Sequence, residues 1–173
     1  MSALELYEKG KQLYAAGSLS EAVAAFETSR TEFLKAEDEA HAATVQNDLG
    51  VVYYLIGRRA EASQVLTEAL ATFEKTGDLS GQAKAAGNLA QVLNRAHATE
   101  QAEKYYLRAA ELFHQTGQRD LESDTHRALS LMHLKRGRFM DALAAYDRAL
   151  AARGGSRLLR AFLQIPLRLV GAR

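Results

Sequence analysis

Five histidines, His41, His97, His114, His126 and His133, and a complete lack of cysteine bound the chemistry open to this chain. Without thiols there is no disulfide, thiolate zinc site, iron–sulfur ligation or cysteine nucleophile. His126 and His133 are seven residues apart. On a helix that puts them on one face but ~10 Å apart along the axis, too far for one ion without ligands between them. No His-x-x-x-His pair occurs, so neither a metal site nor a cofactor is expected. The acidic run Glu37-Asp38-Glu39 reads as charge at a helix N-terminus rather than as a cation site. There is no Gly-rich phosphate loop and no nucleophile elbow, so no catalytic residue is assigned and the chain reads as a non-enzyme. With a net charge of +1 and no Arg-aromatic platform, nucleic acid is not an expected ligand.

The elements that carry these residues follow from composition and periodicity. Of the 173 residues, 47% are apolar and 25% charged, a globular balance. The single proline is Pro166, so no helix breaker interrupts the preceding chain, and Ala, Leu, Glu, Gln and Arg dominate. An all-α protein is expected. Met1-Ser2-Ala3-Leu4-Glu5 is polar from the start, unlike a signal peptide, and no apolar run reaches the ~18 residues of a membrane span. A cytoplasmic protein is therefore expected.

Small residues recur at a spacing of forty: Gly10, Gly50, Ala90 and Ser130. Twelve residues on stand Ala22, Ala62, Ala102 and Ala142, then Phe26, Leu66, Tyr106 and Tyr146, then Ser29, Ala69, Ala109 and Ala149. Gly17, Gly57, His97 and Gly137 fall between the first two columns, where a left-handed residue ends a helix. His133 shares a column with Leu13, Tyr53 and Leu93 and reads as a packing residue; Tyr105, Tyr106 and Tyr146 likewise occupy repeat columns. Gly10 and Gly50 inside helices cost ~1 kcal/mol each relative to Ala. That cost implies a close approach between the helices of a pair, with Ala22 and Ala62 facing the gap. The pattern predicts helices over 3–16, 19–36, 40–56, 59–75, 80–96, 99–115, 120–136 and 139–152, with Asp78 and Asp120 as N-caps.

Small residue, turn glycine, alanine, aromatic and alanine in this order resemble the tetratricopeptide repeat (TPR). The forty-residue period and the segment Gly87-Asn88-Leu89-Ala90 resemble the long-repeat branch of kinesin light chains, Rap-type regulators and LGN. The resemblance implies a right-handed superhelix of four helix-turn-helix repeats (about 3–38, 39–78, 79–118 and 119–153), forming residues 1–153, plus a C-terminal capping helix in 154–173. It also implies a concave groove lined by the first helix of each pair, which captures a peptide or helix of another protein. Carried onto this chain, the groove positions are Leu4, Tyr7, Lys11 and Tyr14; Asn47, Val51, Tyr54 and Leu55; Lys84, Gln91, Asn94 and Arg95; and Asp124, Arg127, Leu131, Leu134 and Lys135. Five of these are basic and only Asp124 is acidic, so the groove is expected to attract a partly acidic segment. Asn47, Asn88 and Asn94 offer donors and acceptors to a ligand backbone. The carboxylate clamp of the shorter TPR cochaperones is not expected, because of its aligned positions Tyr7, Lys11, Asp48, Lys84 and Asn88 only Lys84 fits and Asp48 repels.

Five of the 22 basic residues lie in 153–173, a stretch without acids, leaving 17 against 21 acids in residues 1–152. The body is therefore near −4 and the C-terminal segment +5. Read as a helix, that segment confines Arg157, Arg160, Gln164 and Arg168 to one stripe. Docking of Leu159, Leu163 and Val170 on the last repeat leaves Leu158, Phe162, Ile165 and Leu169 for a second surface. A homodimer through paired C-terminal helices is expected, with an anionic membrane surface as the alternative contact.

Overall fold

The computed structural model describes residues 1–155 and residue 161. Its described residues form eight helices and no strand: α1 (Ala3–Ala15), α2 (Leu19–Lys35), α3 (Glu39–Leu55), α4 (Arg59–Thr76), α5 (Leu79–Arg95), α6 (Thr99–Gln115), α7 (Arg119–Lys135) and α8 (Phe139–Ala152). Every boundary falls within one residue of its sequence expectation. Each helix packs on the next, and α3 also meets α5 directly. Leu158, Phe162, Ile165 and Leu169 lie outside the described residues, as does the expected capping helix.

Local chemistry starts and stops the helices. Ser2 caps α1 through a reciprocal box: its Oγ accepts from the Glu5 N–H at 3.2 Å, and Glu5 Oε2 accepts from the Ser2 N–H at 2.8 Å. Asp38 caps α3 by accepting from the His41 N–H at 3.1 Å, and Asp78 caps α5 by accepting from the Gly81 N–H at 2.9 Å. Asp120 does not cap α7. Forty-residue phase puts the N-cap at Gln118, and Asp120 sits in the first turn, where it pairs with Arg153 at 3.0 Å. The left-handed turn is kept even where glycine is missing: His97 has φ 62° and Glu37 has φ 57°. In both turns the following residue's N–H returns to the helix, Ala98 to Leu93 O at 3.0 Å and Asp38 to Phe33 O at 2.9 Å.

Helix pairs approach closely where the sequence places its small column. A Cβ on Gly10 would lie 2.5 Å from the Phe26 ring, and one on Gly50 would lie 2.5 Å from Leu66 Cγ. The residue that fills the glycine notch is thus the large apolar one sixteen positions on. Ala22 and Ala62, fully buried beside it, keep the second helix close. In the fourth pair Ser130 replaces the glycine and donates its hydroxyl to Ala142 O at 2.7 Å. Tyr105 touches all four clusters of buried apolar residues and ties successive pairs into one core.

Candidate functional site

The concave side of the array holds a cavity of about 590 Å³. The odd-numbered helices supply most of its lining: Lys11 and Tyr14 from α1; Asn47, Asp48, Val51 and Val52 from α3; Lys84, Gly87, Asn88 and Gln91 from α5; Leu121, Asp124, Thr125 and Ala128 from α7. Phe26, Tyr106 and Phe113 reach it from the even helices. An odd helix meets this surface with residues 3–4 apart, as in Lys84, Gly87, Asn88 and Gln91, because one face of 3.6-residue periodicity points inward.

A polar ladder crosses the cavity floor. Asn88 Nδ2 donates to Asn47 Oδ1 at 3.0 Å, Asn47 Nδ2 donates to Asp48 Oδ1 at 3.1 Å, and the Tyr7 hydroxyl donates to Asp48 Oδ2 at 2.6 Å. The ladder joins α5, α3 and α1. Burial, followed by the bond to Asp48, pushes the Tyr7 phenol well above its ordinary range, so it stays a donor. Tyr7 also packs on Phe26 with ring centroids 5.8 Å apart. Asn47 is nearly fully buried, and the ladder uses both its amide nitrogen and its oxygen. The asparagines expected to greet a ligand therefore chiefly fix the helices to one another. Asn94 behaves likewise, since its Oδ1 accepts from Arg136 Nη1 at 3.0 Å.

Seven of the groove residues expected from sequence come together around the cavity: Lys11, Tyr14, Asn47, Val51, Lys84, Gln91 and Asp124. Tyr7 and Tyr54 are half-buried against the first core cluster. Asn94 is half-buried, and Arg95, Arg127, Leu131 and Lys135 are exposed; these five also lie off the cavity lining. Arg127 faces Asp124 at 3.6 Å. The charge of the cavity therefore differs from expectation. Lys11 and Lys84 stand against Asp48 and Asp124, so the lining is balanced rather than strongly basic. Lys11 is engaged by Glu8 at 2.7 Å and lies 4.8 Å from the centre of the Tyr7 ring. Lys84 and Gln91 are exposed and have no hydrogen-bonding or ionic partner among the described residues. Sequence reasoning passed over Gly87, Leu121, Thr125 and Ala128. Gly87 and Ala128 could have been found from the Lys84–Gln91 stripe and its copy forty residues on, whereas Thr125 matches Ala85, outside that stripe. Leu121 sits in the first turn of α7, outside that stripe.

No curated protein matches this sequence. Among solved structures, BtubC (BKLC) from P. vanneervenii superposes with a TM-score of 0.79 at 21% identity, covering 88% of this chain and 63% of that one. This chain thus spans less than two thirds of BtubC's length. MamA superposes with a TM-score of 0.67 at 17% identity, covering 88% of this chain and 78% of that one. At such identities the likeness concerns the fold, which is that of a TPR-like helical-repeat protein. Among the described residues no helix is long and apolar enough to cross a membrane. The family model for the soluble NSF attachment protein, SNAP, matches residues 1–164, nearly the whole sequence, and the chain belongs to the SNAP family.

Proposed function

We propose that this chain is a cytoplasmic, non-enzymatic adaptor that holds a segment of another protein in its concave cavity. Helical-repeat arrays of this kind generally serve protein–protein interaction and are typically scaffolds rather than enzymes. The observation that carries the reading is the contrast inside the cavity. Asn47, Asp48 and Tyr7 are tied to one another, while Lys84 and Gln91 have no hydrogen-bonding or ionic partner among the described residues and share the lining with apolar Val51, Phe26 and Leu121. Such a surface suits a short amphipathic segment with one apolar anchor for the floor and one acidic residue for Lys84. Asp48 and Asp124 disfavour a run of acids. The forty-residue period supports placing the array with the long-repeat type found in kinesin light chains, Rap-type regulators and LGN.

Peptides selected from a random displayed library against the intact protein test this reading. Binders should be lost on Gly87→Trp, which fills the cavity, and weakened by Lys84→Glu. They should tolerate Arg95→Glu, which lies outside it. Binders indifferent to Gly87→Trp would place the interaction elsewhere.

A further inference from the structure

Away from the concave cavity, each odd helix after the first sends a side chain between two even helices, and at two of these three junctions charged groups meet it. At the first junction the Tyr53 hydroxyl of α3 donates to Glu27 of α2. Arg58, one residue before α4, lies 4.3 Å from the centre of the Tyr53 ring and pairs with Glu61 at 3.0 Å. At the third junction His133 of α7 faces Glu103 of α6 at 3.8 Å, and Arg138, one residue before α8, bridges Glu103 and Asp141 at 2.7 Å each. At the second junction the forty-residue columns hold none of these groups. Leu93 stands in the column of Tyr53 and His133, Thr67 in that of Glu27, and Ser63 in that of Glu103. Ala98 replaces the arginines, and Gln101 replaces Glu61 and Asp141.

The second junction instead holds a furrow of about 510 Å³ between α4 and α6, floored by Leu89 and Leu93 of α5. Leu89 is buried, and Leu93 is half-buried. Gln101, Lys104, Tyr105 and Arg108 reach the furrow from one face of α6, three and four residues apart. Arg108 is committed to Glu74 at 2.5 Å. The side chains of Ser63, Gln101, Lys104 and Tyr105 have no hydrogen-bonding or ionic partner among the described residues, and no acid among those residues lines the furrow. Three neutral polar groups and one ammonium thus converge, unpaired, over an apolar floor.

We propose that this furrow is a binding site for a small aryl carboxylate, its ring on Leu89 and Leu93 and its carboxylate on Lys104, Gln101 and the hydroxyls of Ser63 and Tyr105. The other junctions choose this chemistry, because the ligand supplies the two groups that Tyr53 and Glu27 bring together at the first. One uncommitted cation suits a monoanion, and the charge-assisted bond it makes is the strong kind. The volume falls within the ~300–1,000 Å³ of small-ligand sites. None of the large apolar side chains exposed among the described residues lines the furrow, so it is no part of an apolar patch that a protein would cover. It shares no lining residue with the concave cavity, and the proposal does not depend on what that cavity binds.

Titration of 3-phenylpropanoate into the isotope-labelled intact chain tests the site. Backbone amide shifts should saturate at Ser63, Leu93, Gln101 and Lys104 with a Kd of about 1 mM or tighter, and stay small at Lys84 and Gln91. The alcohol 3-phenylpropan-1-ol keeps the ring and loses the charge, and should bind about tenfold more weakly or worse. Lys104→Met should erase that difference. Leu93→Tyr combined with Thr67→Glu and Ala98→Arg copies the first junction into the second and should abolish the saturable shifts. Shifts that fail to saturate, that centre on Lys84 and Gln91, or that survive in the copied junction would each overturn the proposal, as would equal binding of acid and alcohol by the parent. Should the triple variant fail to fold, the acid–alcohol comparison in the parent and in Lys104→Met decides.

Discussion

Gly10, Gly50 and Gly87 all sit inside helices, yet a methyl group would meet three different situations. At Gly10 and Gly50 the new Cβ would be driven to 2.5 Å from Phe26 and Leu66, both fully buried, so the side chains cannot retreat. Gly10→Ala or Gly50→Ala should therefore destabilise by about 1–3 kcal/mol despite the gain in helix propensity. At Gly87 the nearest atom is Ala109 Cβ at 3.7 Å, an ordinary contact. Gly87→Ala should stabilise by about 0.5–1 kcal/mol, because only the propensity term changes. Denaturant unfolding of the three variants reads both signs. A second residue-scale expectation concerns His126 and His133, each buried with Nδ1 unpartnered. Desolvation lowers both imidazole pKa values; Arg148 adds to it at His126, and Glu103 opposes it at His133. A depressed folded-state pKa means that the unfolded chain binds protons first. Their contribution to stability is then full above the ordinary value of ~6.5 and is lost as pH falls below it. Melting between pH 7.5 and pH 5 should show this loss, and His133→Leu, which borrows the residue of the matching column, should reduce it.

At the scale of the element, tight alanine columns set how near the paired helices lie. Ala62 and Ala102 have no exposed surface, and Leu at either position should cost about 1–3 kcal/mol. Parent-like melting of both variants would contradict the packing. These elements were legible in the sequence because one-dimensional spacing alone dictates them. The columns at Gly10, Ala22 and Phe26 and their copies register both the helices and their pairing, and His97 could be read as a left-handed turn because glycine fills that position in three of the four copies. Asp120 misled because it is chemically a good cap but stands two residues out of phase with Asp38 and Asp78. The cavity was only half legible. Its stripe of residues follows from helical periodicity, so Lys84 and Gln91 could be found. Whether a polar side chain is free depends on partners forty residues away. The sequence therefore cannot show that Asn47 is committed to Asp48 and Asn88, nor that Asp48 and Asp124 offset the two lysines.

For the whole molecule, stacking four pairs of similar length produces one curved sheet of helices whose inner side is built almost wholly from α1, α3, α5 and α7. The ladder from Asn88 through Asn47 to Asp48 and Tyr7 runs across three of these helices and should hold the curvature. Asn47→Leu breaks it at the centre and leaves Asp48 short of a donor, so it should both destabilise the chain and weaken capture of a cavity-selected peptide. Lys84→Glu should weaken capture while melting like the parent. Isothermal titration and thermal melting separate the two effects. The central claim is that the concave cavity is the binding surface. It is tested most directly by titrating the isotope-labelled protein with a selected peptide and mapping the backbone amide shifts. The account predicts shifts concentrated at Val51, Lys84, Gly87, Gln91 and Asp124; shifts confined to the outer sides of α4, α6 and α8 would contradict it.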